Sequence, residues 1–184
     1  MKTLILYTSK TGNTKAYAED IAKQVNADVA PLKGFRPKKM LDYDTIVFGG
    51  WIQGGTIQGL DKFLQSYSKI EKKNVIIFSV GMSVPSPDGR SLIIEQNLLD
   101  MYHVRYYQFR GSFDIKKLHF PANLLIMNSL KMIANDPAST ADQKALLDIK
   151  NNPIIVYDRE KVDRVVSVLN QLSLEGALNK EGAK

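Results

Sequence analysis

One stretch decides the fold of this chain: Leu4-Ile5-Leu6-Tyr7-Thr8-Ser9-Lys10-Thr11-Gly12-Asn13-Thr14. An apolar run stops at Tyr7 and gives way to hydroxyl and amide residues around one glycine. A helical pattern follows at once, with apolar residues recurring on one face. These are Tyr17, Ala18, Ile21, Ala22 and Val25. A buried strand that passes through a polar turn into a helix N-terminus can hold a phosphate, because the first N–H groups of a helix lack intrahelical partners and its dipole favours an anion.

The spacing of the glycines excludes two common nucleotide motifs. The triphosphate loop Gly-x4-Gly-Lys-Ser/Thr does not occur in this turn, and in the near match at 49–56 Gly55 stands where the lysine is required. The dinucleotide fingerprint Gly-x-Gly-x-x-Gly does not occur there either. The turn is therefore expected to bind a different kind of phosphate.

Residues 5–21 resemble the flavodoxin signature: an apolar pair, an aromatic, a hydroxyl, a glycine, a threonine, then an alanine and an aliphatic residue. In that family the turn wraps the phosphate of FMN. The resemblance implies that Ser9, Thr11 and Thr14 supply hydroxyls and that 10–13 supply backbone N–H groups. The predicted phosphate-binding residues are Ser9, Lys10, Thr11, Gly12, Asn13 and Thr14. The alternative is an ordinary strand–turn–helix with a hydroxyl-rich cap.

Composition limits the possible chemistry. The chain has 184 residues, a formal net charge of +6, no cysteine and two histidines. The length suits one domain, expected over 1–172 with a frayed tail over 173–184. Thiolate nucleophiles, disulfides and cysteine-bound metals are excluded, no metal site is expected, and redox chemistry needs an organic cofactor. No run is long enough to span a membrane and no signal peptide is recognised, so a cytoplasmic location is expected.

Strand and helix patterns alternate along the chain, which predicts a parallel sheet with helices on both faces. Strands are predicted at 2–8, 27–31, 45–48, 75–80 and 104–110, with 153–157 ambiguous and 32–43 a loop. Helices are predicted at 13–25, 58–67, 91–101, 121–134, 141–149 and 159–172. The expected fold is an α/β, doubly wound, five-stranded flavodoxin-like sheet of order 2-1-3-4-5 in a three-layer sandwich, with the ligand beyond the strand C-termini.

Two further loops are expected to meet the flavin. The first is the segment 49–56, whose four glycines allow positive φ angles and would let the backbone approach a flat ring. Its predicted flavin-binding residues are Trp51, Ile52, Gln53, Gly54 and Gly55. Trp51 either stacks on that ring or packs under the loop. The second follows the fourth predicted strand and includes Ser79, Val80, Gly81 and Met82. It lacks the aromatic and acidic residues common in carrier flavodoxins, and the positive net charge favours two-electron chemistry.

A second resemblance is to the short flavodoxin-type protoporphyrinogen oxidases. Their glycine loop, Gly-x-Ser-Ile-Arg-Tyr-Gly, shares Gly49, Ile52 and Gly55 with this chain, but Gln53 and Gly54 replace the Arg-Tyr pair. A strand that ends at Gly111, a basic-aromatic connection and a Met/Leu-rich helix are also similar. The resemblance implies FMN-dependent oxidation of a porphyrinogen, with electrons passed to a membrane quinone.

The helix predicted over 121–134 is apolar around most of its circumference. Burial between the sheet and 141–149 is the favoured interpretation. The alternative is a partly exposed face for an apolar substrate or the membrane surface, with attraction from Arg105, Arg110, Lys116 and Lys117. Both histidines, His103 and His119, are expected on the surface.

The sequence thus predicts an FMN-binding oxidoreductase, leaning towards an enzyme of the protoporphyrinogen-oxidase type. The alternative is an electron carrier without its own substrate. Expected partners are a redox protein or a quinone, with a small-molecule substrate and peripheral contact with the inner face of the membrane compatible with the pattern. Nucleic acid is not expected, because the basic residues are dispersed. A phosphoacceptor receiver is excluded, because Gly49-Gly50 stand where its aspartate would be. Catalytic residues and the oligomeric state stay open.

Overall fold

The computed structural model describes residues 1–114, 122–139, 144, 146–150 and 152–181. Its central sheet has the order β2-β1-β3-β5-β6, with all of these neighbours parallel, and a short strand β4 pairs antiparallel with β3. The strands are β1 Thr3–Tyr7, β2 Asp28–Pro31, β3 Thr45–Gln53, β4 Thr56–Ile57, β5 Asn74–Gly81 and β6 Val104–Arg110. Strand β4 is an additional hairpin strand. The five parallel strands, numbered without it, have the order 2-1-3-4-5, which confirms the prediction.

Helices cover both faces of the sheet and make three layers. They are α1 Asn13–Val25, α2 Leu60–Leu64, α3 Tyr67–Ile70, α4 Pro87–Gln96, α5 Ala122–Asn135 and α6 Arg159–Glu181. One buried cluster joins the sheet to α1 and α6, and it includes the predicted α1 residues Tyr17, Ala18, Ile21 and Ala22. The other joins the opposite face to α2, α3 and α4. Both cores leave the C-terminal ends of the strands open for a site.

Several predicted boundaries differ from the structure. The predicted helix 58–67 is two short helices, because the chain turns between Leu64 and Tyr67. Helix α4 starts earlier than predicted, at Pro87, with Ser86 as its N-cap, and residues 99–101 form a separate 3-10 turn. A 3-10 turn, Pro37–Asp42, interrupts the predicted loop 32–43.

The C-terminal third also departs from expectation. The ambiguous strand 153–157 contributes an isolated bridge, Phe113 to Ile154. The predicted helix 141–149 lies partly outside the described residues, and its end is a 3-10 turn at Leu146–Lys150. Helix α6 continues to Glu181, so residues 173–181, predicted as a frayed tail, are helical. Asp158 caps this helix, because its carboxylate accepts the N–H of Lys161 at 3.3 Å.

Of the helices in the described ranges, none is both long enough and apolar enough to cross a membrane.

Candidate functional site

The turn between β1 and α1 presents an uncovered helix N-terminus. Gly12 is the N-cap residue, with φ +92°, and no side chain caps the helix. The first turn of α1 carries no acidic residue. Because α1 begins at Asn13, the N–H groups of its first turn have no acceptor within the helix, and the positive end of the dipole is unopposed. The turn therefore has the electrostatics of an anion site.

The hydroxyl of Thr14 strengthens that conclusion. Thr14 is 1% exposed, it lines the cavity at this end of the sheet, and its Oγ1 has no hydrogen-bond partner within the described part of the chain. A buried hydroxyl without a partner is destabilising, and native structures rarely retain one without a reason. A ligand oxygen in the cavity would satisfy it.

Hydrogen bonds hold the rest of this turn in place. The N–H of Gly12 donates to Ser9 Oγ at 3.2 Å, and the O–H of Ser9 takes no part in that bond. Asn13 Nδ2 donates to Thr11 Oγ1 at 3.1 Å and to the carbonyl of Ser112 at 2.5 Å. The second bond ties the turn to the chain just after β6, which is separated from β1 by the two strands β3 and β5. The first and last strands of the site are thereby fixed to each other.

The glycine-rich segment is a β-hairpin and not an open loop. Strand β3 runs through to Gln53, and Gly54 and Gly55 form the two-residue turn, with φ +56° and +81°. Two successive residues with positive φ are what a tight hairpin turn requires. The prediction of positive φ is therefore confirmed for these two glycines.

Gly49 and Gly50 serve a different purpose, because they lie within β3. A Cβ on Gly49 would be 2.2 Å from Cζ of Phe78, and one on Gly50 would be 2.5 Å from Cγ2 of Ile57. These glycines make room for neighbouring side chains and do not form a ligand-facing loop, which corrects that part of the prediction.

The third segment lies at the end of β5. Val80, Gly81 and Met82 line the cavity, and the carbonyl of Met82 accepts from Arg110 Nε at 3.3 Å. Ser79 does not line it: its side chain is fully buried, and its Oγ is 2.6 Å from the hydroxyl of Tyr106. Side chains alternate along a strand, so Ser79 faces the α4 side of the sheet while Val80 faces the α1 side.

All three segments meet at one cavity of about 440 Å³ at the C-terminal edge of the sheet. Most of the predicted site residues line it: Lys10, Thr11, Asn13, Thr14, Trp51, Ile52, Gln53, Gly54, Val80, Gly81 and Met82. Ser9, Gly12, Gly55 and Ser79 are not among the lining residues. The position of the cavity is the one expected for an open parallel sheet.

Sequence reasoning missed six further residues that line the cavity. They are Gly111, Ser112, Phe113, Leu125, Ile126 and Ser129. The first three follow the last parallel strand, and the rule that ligands bind beyond strand C-termini was a signal that could have found them. The other three lie on α5, where no motif marks them.

Helix α5 is more exposed than the favoured prediction required. Leu125 is 62% exposed and Met132 is 73% exposed, while Ile126, Met127 and Leu130 are only partly buried. The interpretation of a deeply buried helix is therefore wrong. Helix α5 contacts the 3-10 turn at Leu146–Lys150. As predicted, His103 is exposed; His119, Lys116 and Lys117 lie outside the described residues.

Lys10 and Trp51 connect two walls of the cavity. The ammonium of Lys10 lies 5.1 Å from the centroid of the Trp51 ring, within the range of a cation–π contact. Lys10 is the one charged side chain among the described residues that line the cavity. The site is otherwise built from neutral polar and apolar groups.

Two buried tyrosines form hydrogen bonds with the elements that surround the site. Tyr17 donates its hydroxyl hydrogen to the carbonyl of Arg110 at 2.6 Å and accepts the N–H of Asp158 at 2.6 Å, so it joins α1, β6 and the start of α6. Burial raises the pKa of Tyr17. Burial also raises the pKa of Tyr106, the partner of Ser79, to about 12. Both stay neutral at physiological pH and act as structural hydrogen-bonding groups.

The sheet order, the uncovered helix N-terminus and the cavity at the strand ends define an α/β protein of the flavodoxin-like class. A model of the flavodoxin domain family matches residues 4–141. The chain belongs to this family.

Individual relatives are more distant. An uncharacterized protein of Methanocaldococcus jannaschii is 33% identical over 121 residues, covering 65% of this chain and 77% of that protein. Among solved structures, Flavodoxin 2 of Bacillus cereus is 21% identical over 60% of this chain and 85% of that chain, with a TM-score of 0.47. A putative flavoprotein of Bacteroides eggerthii is 17% identical over 73% of this chain and 99% of that chain, with a TM-score of 0.45.

Proposed function

We propose that this protein binds FMN in the cavity at the C-terminal edge of the sheet and transfers electrons through it. Family membership supports the proposal that the bound cofactor is a flavin. The β1–α1 turn supports the proposal that this flavin carries a phosphate. The single observation that carries the proposal is Thr14 Oγ1, a buried hydroxyl that lines the cavity without a partner, beside an uncovered helix N-terminus. FMN when bound supplies reversible uptake of one or two electrons, chemistry that a chain without cysteine cannot supply from its own side chains.

The residues of the chain divide the binding between them. The hydroxyls of Thr11 and Thr14, with the first N–H groups of α1, would hold the phosphate. Both amide hydrogens of Asn13 are already donated, so its side chain would position the turn. The β3–β4 hairpin and the end of β5 would hold the ring system through Trp51, Gln53 and Met82. Neutral donors and a helix dipole are sufficient to bind a phosphate dianion.

We favour an oxidoreductase with a small apolar electron acceptor of the quinone class over a carrier without its own substrate. The supporting observation is that Leu125, Ile126 and Phe113 give the cavity an apolar wall. A small apolar molecule could thus reach the cofactor without a docked protein. Oxidation of a porphyrinogen rests on the sequence resemblance alone, and it is the second substrate to test. Contact with the membrane surface through the exposed residues of α5 belongs to the same proposal.

The binding experiment is a titration of the purified, flavin-free protein with FMN, followed by flavin fluorescence and the visible absorption spectrum. One FMN per chain is expected, and riboflavin, which has no phosphate, should bind more weakly. Protein that shows no spectral change in excess FMN would contradict the proposal at its base. The helix N-terminus would then be a structural feature of an unassigned α/β domain.

Stepwise reduction with dithionite then separates the two functional alternatives. An oxidoreductase of the proposed kind should take up both electrons together, whereas a carrier should accumulate one-electron-reduced flavin. Reoxidation of the reduced protein by a soluble benzoquinone is expected to be faster than by a protein acceptor. The reverse order of rates would favour the carrier.

A further inference from the structure

Lys10 occupies an unusual position between the two halves of the proposed FMN site. It belongs to the phosphate-binding turn, but its ammonium does not join the polar groups of that turn. It lies instead over the ring of Trp51, on the β3–β4 hairpin. Since both side chains line the cavity, this positive charge is held on the side of the hairpin, where the ring system of FMN would bind.

The described lining of the cavity offers no negative charge to balance Lys10. No acidic side chain is among the described residues that line the cavity, and no described carboxylate forms an ion pair with Lys10. Asp114 follows the lining residue Phe113 but does not itself line the cavity. Arg110, at the end of β6, is bonded through Nε to the carbonyl of Met82. Lys10 is therefore the source of formal charge within the described lining of the cavity.

A flavin gains negative charge on reduction, whereas its phosphate carries the same charge in both redox states. A cation beside the ring therefore raises the affinity of the protein for reduced flavin more than its affinity for oxidised flavin. A cation beside the phosphate raises both affinities equally. The distinction is measurable because the ratio of the two dissociation constants fixes the shift in reduction potential.

We infer that Lys10 sets the reduction potential of the bound flavin by stabilising the negative charge of its reduced ring, and that it is not a phosphate ligand. The inference rests on the proposed function, and a stabilised reduced ring agrees with the two-electron chemistry proposed there. Trp51 contributes by holding the ammonium on the side of the hairpin.

The experiment measures dissociation constants for oxidised and for dithionite-reduced FMN with wild-type protein, Lys10→Gln and Lys10→Arg. For Lys10→Gln, binding of reduced FMN should weaken roughly tenfold more than binding of oxidised FMN, since a water-screened interaction between two unit charges is of that order. A tenfold change in this ratio equals about 30 mV in the two-electron potential. Lys10→Arg keeps the charge and its stacking on Trp51, so it should retain the wild-type ratio.

The matched control is Lys15→Gln, which removes the same charge from the first turn of α1. Lys15 forms an exposed ion pair with Glu19 at 3.7 Å and does not line the cavity, so the ratio should be unchanged. Riboflavin should show the same Lys10-dependent ratio as FMN, because the effect is on the ring.

Equal weakening of both redox forms in Lys10→Gln would overturn the inference and make Lys10 a phosphate ligand, and an unchanged ratio with unchanged affinities would overturn it as well. Failure of the proposed function is a separate result, because the wild-type protein would then bind no FMN in either state.

Discussion

The β1–α1 turn and helix α5 line the same cavity, but they are held in opposite ways. The turn is fixed by hydrogen bonds within itself and by the bond from Asn13 to Ser112, and its key hydroxyl, Thr14, is buried. Helix α5 presents Leu125 and Met132 largely to solvent. Burial and hydrogen bonds give rigidity, and their scarcity permits change. One wall is therefore suited to hold an invariant group such as a phosphate, and the other to admit variable apolar molecules.

The largest expected effect is a loss of folding stability when Gly49, within strand β3, is substituted. Gly49→Ala would place a methyl group 2.2 Å from the ring of Phe78, between β3 and β5. The ring is fully buried and stacks on Phe109 at 5.0 Å, so it has little room to move. Overpacking of this kind should lower the free energy of unfolding by about 3 kcal/mol, measured by urea denaturation.

The control for that variant is Gly54→Ala in the hairpin turn. A Cβ there meets nothing within 4 Å, and the cost arises only from the φ of +56°. A loss of about 1 kcal/mol is expected. If the two variants were equally stable, the close packing of Gly49 against Phe78 would not constrain the site.

A smaller and purely functional effect is expected at Thr14. Thr14→Val keeps the shape of the side chain and removes the unpartnered hydroxyl. Loss of one hydrogen bond to a charged phosphate should weaken FMN binding by about 2 kcal/mol, or roughly thirtyfold. The stability of the flavin-free protein should not fall, because the hydroxyl has no partner within the described part of the chain.

Riboflavin is the matched ligand for this test, and Thr56→Val on the exposed face of β4 is the matched variant. Neither riboflavin binding by Thr14→Val nor FMN binding by Thr56→Val should change by more than about twofold. Equal losses for riboflavin and FMN in Thr14→Val would show that the hydroxyl does not meet the phosphate.

The same contrast explains what the sequence could predict. Residues 5–21 carry a local signal, because a strand, a polar turn and a helix face are each encoded by neighbouring residues. The alternation of such units predicted a parallel sheet, and the resemblance to the flavodoxin family supplied the strand order. Ser112 contributes to the site only through the register of β6 and its bond with Asn13. Pairing between residues so distant in sequence has no local pattern.

Two errors have physical causes of a different kind. Glycine has two uses, positive φ and the lack of a Cβ, and the sequence does not distinguish Gly54 from Gly49. Helix α5 was misjudged because a helix that is apolar all round is normally buried, whereas here Leu124, Leu125 and Met132 are exposed. A pattern predicts what a residue favours, and only the fold shows which surface is available to it.

A substitution on α5 is expected to have the smallest effect on FMN binding. It should nevertheless change the rate at which the reduced flavin is reoxidised. Leu125→Ser changes a side chain that lines the cavity and is 62% exposed, so the free energy of unfolding should change by less than about 0.5 kcal/mol. Affinity for FMN should stay within about twofold for the same reason. The rate of reoxidation by a neutral benzoquinone should fall by roughly three- to tenfold, the cost of losing apolar contact with one aliphatic side chain. Reoxidation by the charged acceptor ferricyanide should not change.

Helix α5 offers its own control, because Leu124 is 49% exposed on the same helix but does not line the cavity. Leu124→Ser should leave both rates at the wild-type level. If Leu124→Ser and Leu125→Ser slow benzoquinone equally, the effect comes from the helix as a whole and not from the cavity wall. If neither does, the apolar wall has no part in acceptor access, and the carrier alternative becomes the better account of the site.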